Sequence, residues 1–154
     1  MAAPFNDLES KLEAAMLALV NTLTLTVGAD EEALTKNTGL DDDAFGVPNV
    51  ICYAEVGSEY VKDSGNFVCQ CRVTVTSHPS DTTLANHRAR VATVRDAFMD
   101  DGLAATLSAN GTDFHCLTIE RRSGMRHEIA SRDDGKVMKS TMEFEAVCCG
   151  SDIS

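Results

Sequence analysis

The sequence has no tryptophan, only 5% aromatic residues and three prolines, with no proline- or serine-rich tract. Its 44% hydrophobic and 24% charged residues are the balance of a folded globular chain, which excludes disorder as the main state. Bases are scarce. Thirteen lysines and arginines face 24 acids, for a formal net charge of −11. So acidic a chain is ill suited to binding nucleic acid by neutralising phosphates. Long apolar runs are missing as well. The nearest one, Ala14 to Val27, is broken by Asn21, Thr22, Thr24 and Thr26 and is too short to cross a bilayer. It follows the acids Asp7, Glu9 and Glu13 rather than a basic stretch, so it does not read as a signal peptide. The chain lacks G-x-S-x-G, a phosphate-cradling glycine loop and H-E-x-x-H, so no enzyme signature is present and the reading is a non-enzyme.

The chain is not short of cysteine, with Cys52, Cys69, Cys71, Cys116, Cys148 and Cys149. It contains no C-x-x-C pair, and Cys-x-Cys with Cys-Cys is not the spacing of a structural zinc site. Cys69 and Cys71 fall on one face of an alternating run, where a bridge between them would distort the pleat. Vicinal Cys148 and Cys149 point to opposite faces. The expectation is six reduced thiols acting mostly as small buried hydrophobes, made in a reducing cytosol. No metal or cofactor is implied. At 154 residues, the chain is expected to form one α+β domain over 1–154.

Leu8, Leu12, Met16, Leu19 and Leu23 recur at helical spacing and predict a helix over 6–21, with Asn6 or Asp7 as N-cap. The β-branched run Thr22 to Val27 favours a short strand ending at Gly28. Residues 28–47 read as an acidic connection with Asp30, Glu31, Glu32, Asp41, Asp42 and Asp43 against Lys36. Asp41-Asp42-Asp43 lacks the alternating ligands, central glycine and distal glutamate of a calcium loop, so a solvated loop that orders against a partner is the reading.

Two alternating runs follow. Val50, Cys52 and Ala54 oppose Asn49, Ile51, Tyr53 and Glu55. Phe67, Cys69, Cys71, Val73 and Val75 then share one face of the clearest strand. A turn over Lys62–Asn66 joins the runs as a hairpin. His78-Pro79-Ser80-Asp81 caps a helix over 82–100, with Leu84, Arg88, Val91, Val94 and Phe98 on one stripe and Arg90, Arg95 and Asp96 elsewhere. Leu103 to Leu107 adds a helical turn. A second hairpin begins with a strand over Phe114–Arg121, reaches a charged bend at Arg121-Arg122-Ser123-Gly124, and offers a weaker stretch over Arg126–Ala130. Asp133-Asp134-Gly135 is a turn signal, and Val137–Cys148 alternates cleanly as the last strand. The order α-β-β-α-β-β predicts an α+β fold. Its antiparallel sheet carries both helices on the face bearing Cys69, Cys71, Val73 and Phe144.

Candidate chemistry is thin. His78, His87, His115 and His127 are scattered, and structural roles fit all four. A Cys–His nucleophile pair such as Cys116 with His87 stays open, whereas adjacent His115 and Cys116 point to opposite strand faces and make a poor dyad. Arg121, Arg122, Arg126 and Arg132 offer an anion site, against the commoner solvated face or intersubunit ion-pair patch.

The order and style of these elements resemble the tail terminator proteins of tailed bacteriophages. The similarity runs over residues 6–149. It rests on Asn6-Asp7-Leu8-Glu9-Ser10-Lys11-Leu12, on Val73 to Ser80 leading into Leu84 to Val91, on Val94 to Phe98 with Asp101-Gly102-Leu103, and on Met142 to Cys148. The resemblance implies a virion protein made in the host cytoplasm, a hexameric ring capping the head-proximal end of a tail tube. It implies partners in other copies of itself, the tube protein and a head-completion protein. Genome DNA would cross the lumen unbound, and no membrane is involved. Alternatives are another head–tail connector subunit, and a small thiol-dependent enzyme or anion-binding domain.

Overall fold

The computed structural model describes residues 4–25, 35–38, 49–59, 65–77, 84–111, 114–132 and 135–150. The opening stripe forms α1 (Pro4–Asn21), which buries Leu8, Leu12, Ala15, Met16 and Val20. Leu19 and Leu23, expected on that face, are only partly buried, because the stripe turns onto Val20 as 3.6-residue periodicity requires. No strand follows over 22–25: the Thr22 amide and hydroxyl both donate to the Leu19 carbonyl and finish the helix.

Within the expected acidic connection the chain forms a strand, β1 (Thr35–Thr38), parallel to the start of β2 (Asn49–Glu59). The remainder of 28–47, including Asp41–Asp43, lies outside the described residues. β2 pairs antiparallel with β3 (Phe67–Ser77) as expected. Of the connecting turn, Gly65 holds φ 75°, a left-handed conformation that suits glycine.

The second helix, α2 (Leu84–Phe98), is rotated from the expected stripe. His87, Arg90, Val91, Val94 and Phe98 are buried, whereas Leu84 and Arg88 are exposed. The capping segment His78–Asp81 lies outside the described residues. The turn expected at Leu103 is a full helix, α3 (Leu103–Asn110), burying Leu103 and Leu107.

The last third holds β4 (Phe114–Arg122), β5 (Arg126–Arg132) and β6 (Gly135–Gly150). Both β4 and β5 run antiparallel to β6. β3 occupies one side of β6 from Met138 to Cys148, so β4 and β5 follow one another along its other side. Arg121–Gly124 is therefore no chain reversal. Arg122 pairs with Phe144 and Arg126 with Thr141, which leaves one extra residue on the outer strand. That is a bulge. Ser123 holds it: its amide and hydroxyl donate to the Glu143 carbonyl, and its oxygen accepts the Glu143 amide.

The six-stranded sheet has the order β1-β2-β3-β6-β4, with β5 beside β6. It is antiparallel except for the β1–β2 pair. One continuous core joins α1, α2 and α3 to the face carrying Cys69, Cys71, Val73, Phe144 and Cys148. The Phe98 and Phe144 rings meet there at 5.9 Å between centroids.

Candidate functional site

Two features stand out: a buried polar network beneath α2, and unequal treatment of the two sheet edges.

The rotation of α2 carries His87 and Arg90 inward over Ser77 of β3 and Ser140 of β6. His87 lies between the two hydroxyls, with Nδ1 2.8 Å from Ser77 Oγ and Nε2 2.8 Å from Ser140 Oγ. The Arg90 guanidinium donates to Ser77 Oγ, and exposed His127 of β5 meets Ser140 Oγ through Nδ1 at 2.6 Å. Arginine only donates, so Ser77 accepts from it. The assignment that satisfies the rest runs one way: Ser77 donates to Nδ1, His87 Nε2–H to Ser140, and Ser140 to His127. Burial, then the Arg90 charge, then His127 push the His87 pKa down to about 4, so the ring is neutral at pH 7.

The network contains serine–histidine pairs, but its hydroxyls sit in the interior at 0% and 1% exposure. A substrate cannot reach a nucleophile there. The network instead ties α2, β3, β6 and β5 together with paired polar groups.

The Cys116–His87 pair does not form. His87 sits at Ser140, whereas Cys116 lies opposite Cys148 on the same strand, eight residues or about 26 Å further on. The cysteines gather on the core face: Cys52, Cys69, Cys71, Cys116 and Cys148 are buried, Cys149 is half-buried, and all six are unbridged. Burial pushes the Cys52 thiol up to about 12 and also holds the Cys71 thiol well above the usual range. Thiol–thiol hydrogen bonds with Cys116 and Cys69 raise Cys148, and the bond Cys148 donates to Cys116 lowers Cys116. The lowered thiol faces the core with no imidazole beside it.

Of the arginines in the candidate anion site, the two whose side chains are described, Arg122 and Arg126, do not converge. Arg122 donates to the Met99 and Asp100 carbonyls at 2.6 and 2.9 Å, capping the C-terminal end of α2. Arg126 pairs with Glu128 in solvent at 3.7 Å. Nothing can be placed at the side chains of Arg121 and Arg132, which lie outside the described positions. His115 is exposed on β4, and His78 lies outside the described residues. Among the described residues no group of three or more His, Cys, Asp or Glu is arranged to hold a metal ion, and no helix is long and apolar enough to cross a membrane.

The sheet edges differ sharply. β1 covers β2 only as far as Cys52. Beyond it, Glu13 accepts the Ala54 amide at 3.1 Å and Glu9 the Val56 amide at 2.9 Å. One turn of α1 thus closes the edge to strand addition. On the far side, β5 runs in unbroken register with β6, and Arg126, His127, Glu128 and Ile129 are all exposed. Ile129 lies opposite Met138 on the core side of the sheet, yet is 66% exposed. The sixteen residues of β6 span about 53 Å. β3 flanks β6 from Met138 to Cys148, so only residues 135–137 of β6 reach beyond it; β5 with its paired part of β6 forms the open edge of the sheet, termed the arm.

No known family model matches the sequence. No curated protein matches it either. Among solved structures, a chain from the virion of a native gene transfer agent particle superposes with a TM-score of 0.49 and 14% identity. The match covers 87% of this chain and 85% of that one.

Proposed function

We propose that this protein is a structural subunit of a phage-type virion, a tail terminator that closes the head-proximal end of the tail tube as a ring. The observation that carries the reading is the β5–β6 arm. A chain acting alone gains nothing from leaving a regular strand edge and an isoleucine exposed, since both invite association. An assembly subunit needs them. The element order supports the same reading, because helix, hairpin, helix and long hairpin follow one another as the resemblance to tail terminators implies. The charge fits too: a ring with a net charge of −11 per subunit repels a passing genome rather than gripping it. The polar groups able to do chemistry are sealed under α2, which favours a structural role over catalysis.

The test is removal of the protein during virion assembly. Tubes of uncontrolled length that fail to join filled heads are the expected result. Tubes of normal length on intact heads refute the proposal, and capped tails with heads that leak DNA assign the subunit to the head-side connector instead.

A further inference from the structure

Charge is sorted across this sheet. On one side, α1, β1 and β2 carry Asp7, Glu9, Glu13, Glu55 and Glu59 against Lys11 and Lys36. On the other, β5 and the part of β6 paired with it carry Arg126, Arg132, Lys136 and Lys139 against Glu128. The topology puts these groups at opposite edges, four strand spacings or about 19 Å apart.

The acidic edge is closed to strand addition beyond β1, because Glu9 and Glu13 already occupy the Ala54 and Val56 amides. Glu55 is exposed on the same strand. The basic edge has a regular strand with Arg126 in solvent and an apolar side chain, Ile129, at its centre. Two copies that met arm to arm would set like charges together, and so would two acidic edges. Arm against acidic edge is the attractive pairing. It joins unlike surfaces, so it repeats from copy to copy and closes into a ring when the rotation allows.

Resting on the assembly reading above, we propose that the β5–β6 arm of one copy docks on the acidic edge formed by α1, β1 and β2 of the next. The contact is made through side chains beyond β1, with Ile129 as its apolar centre inside a charged rim.

Two charge-reversed variants test this: an arm variant, Arg126→Glu with Arg132→Glu, and an edge variant, Glu55→Lys with Glu59→Lys. Circular dichroism establishes that each is folded, and mass photometry with negative-stain imaging reads assembly at about 0.15 M salt, where exposed charges act over about 8 Å. The expected result is that wild type assembles, each variant alone is monomeric, and the equimolar mixture assembles again, because each arm then faces an opposite edge. Assembly of either variant alone places the contact elsewhere and overturns the inference while leaving the ring intact. Failure of the mixture, with both variants folded and monomeric, overturns it as well. A wild-type protein that stays monomeric at tens of micromolar overturns the assembly reading itself.

Discussion

Acid should unfasten the polar network under α2, and the size of the effect follows from one imidazole. His87 has a pKa of about 4 in the folded protein, depressed first by burial and then by Arg90 and His127. In the unfolded chain it returns to about 6.5. Between these values the unfolded state binds more protons, so stability rises with pH through that window and falls on acidification. The whole gap is worth about 3 kcal/mol, and about 2 kcal/mol of it is lost between pH 7 and pH 5. Carboxylates titrate lower in the same range, so wild type alone does not isolate the effect. His87→Gln does, since glutamine still bonds the serine hydroxyls but takes up no proton. Urea unfolding at pH 7, 6 and 5 should show wild type losing about 2 kcal/mol more than the variant. Parallel pH profiles would show that His87 is already solvated or charged in the native state, and the reasoning would fail.

Phe144→Ala removes a ring that is 2% exposed and packed on Phe98, and should cost about 3–5 kcal/mol in chemical denaturation; a loss below about 1 kcal/mol contradicts the burial. Arg122→Ala uncaps the Met99 and Asp100 carbonyls and should cost about 1–2 kcal/mol, with faster amide exchange confined to the C-terminal end of α2. Exchange that is unchanged there contradicts the cap. The five buried thiols should react slowly with a titrant in the native protein, and six should react quickly after denaturation; six fast thiols in the native state contradict the packing.

The strands β2, β3 and β6 were legible because period-two alternation marks a half-buried strand directly, and their cysteines serve as apolar residues within it. The face of α2 was misread for a definite reason. Leu84 and Arg88 complete a stripe with Val91, Val94 and Phe98 as well as His87 and Arg90 do, and hydrophobicity favours the leucine. The discriminating signal lies elsewhere in the chain. Ser77 and Ser140 are polar residues on otherwise apolar strand faces, and they demand partners that His87 and Arg90 supply from α2 and His127 from β5. β1 escaped because Thr35–Thr38 carries no alternation of its own and is defined by its pairing with β2. The edge caps on α1 were equally hidden: Glu9 and Glu13 look like ordinary solvated acids until β2 is set beside them.

In place of the bend expected at Arg121–Gly124 the chain forms a bulge between Arg122 and Arg126, and its role is best seen through side-chain parity. Arg122 reaches the end of α2 from the helix-bearing face, and His127 meets Ser140 on that same face, although the two are an odd number of residues apart. One extra residue accounts for the switch, and it also adds local twist between the body of the sheet and the arm. Gly124 is the part of the bulge with open space around it, since a Cβ added there would meet nothing within 4 Å. Deleting Gly124 leaves three steps from Arg122 to Arg126, matching the three steps from Phe144 to Thr141, so both pairs keep their register. Stability in urea should therefore change by less than about 1 kcal/mol, because no buried group is exposed. The arm, however, should leave the body with less twist and miss the neighbouring copy, so assembly should be lost from a folded protein. A deletion variant that unfolds would show that the bulge serves folding. A variant that assembles as well as wild type would show that the direction of the arm does not matter.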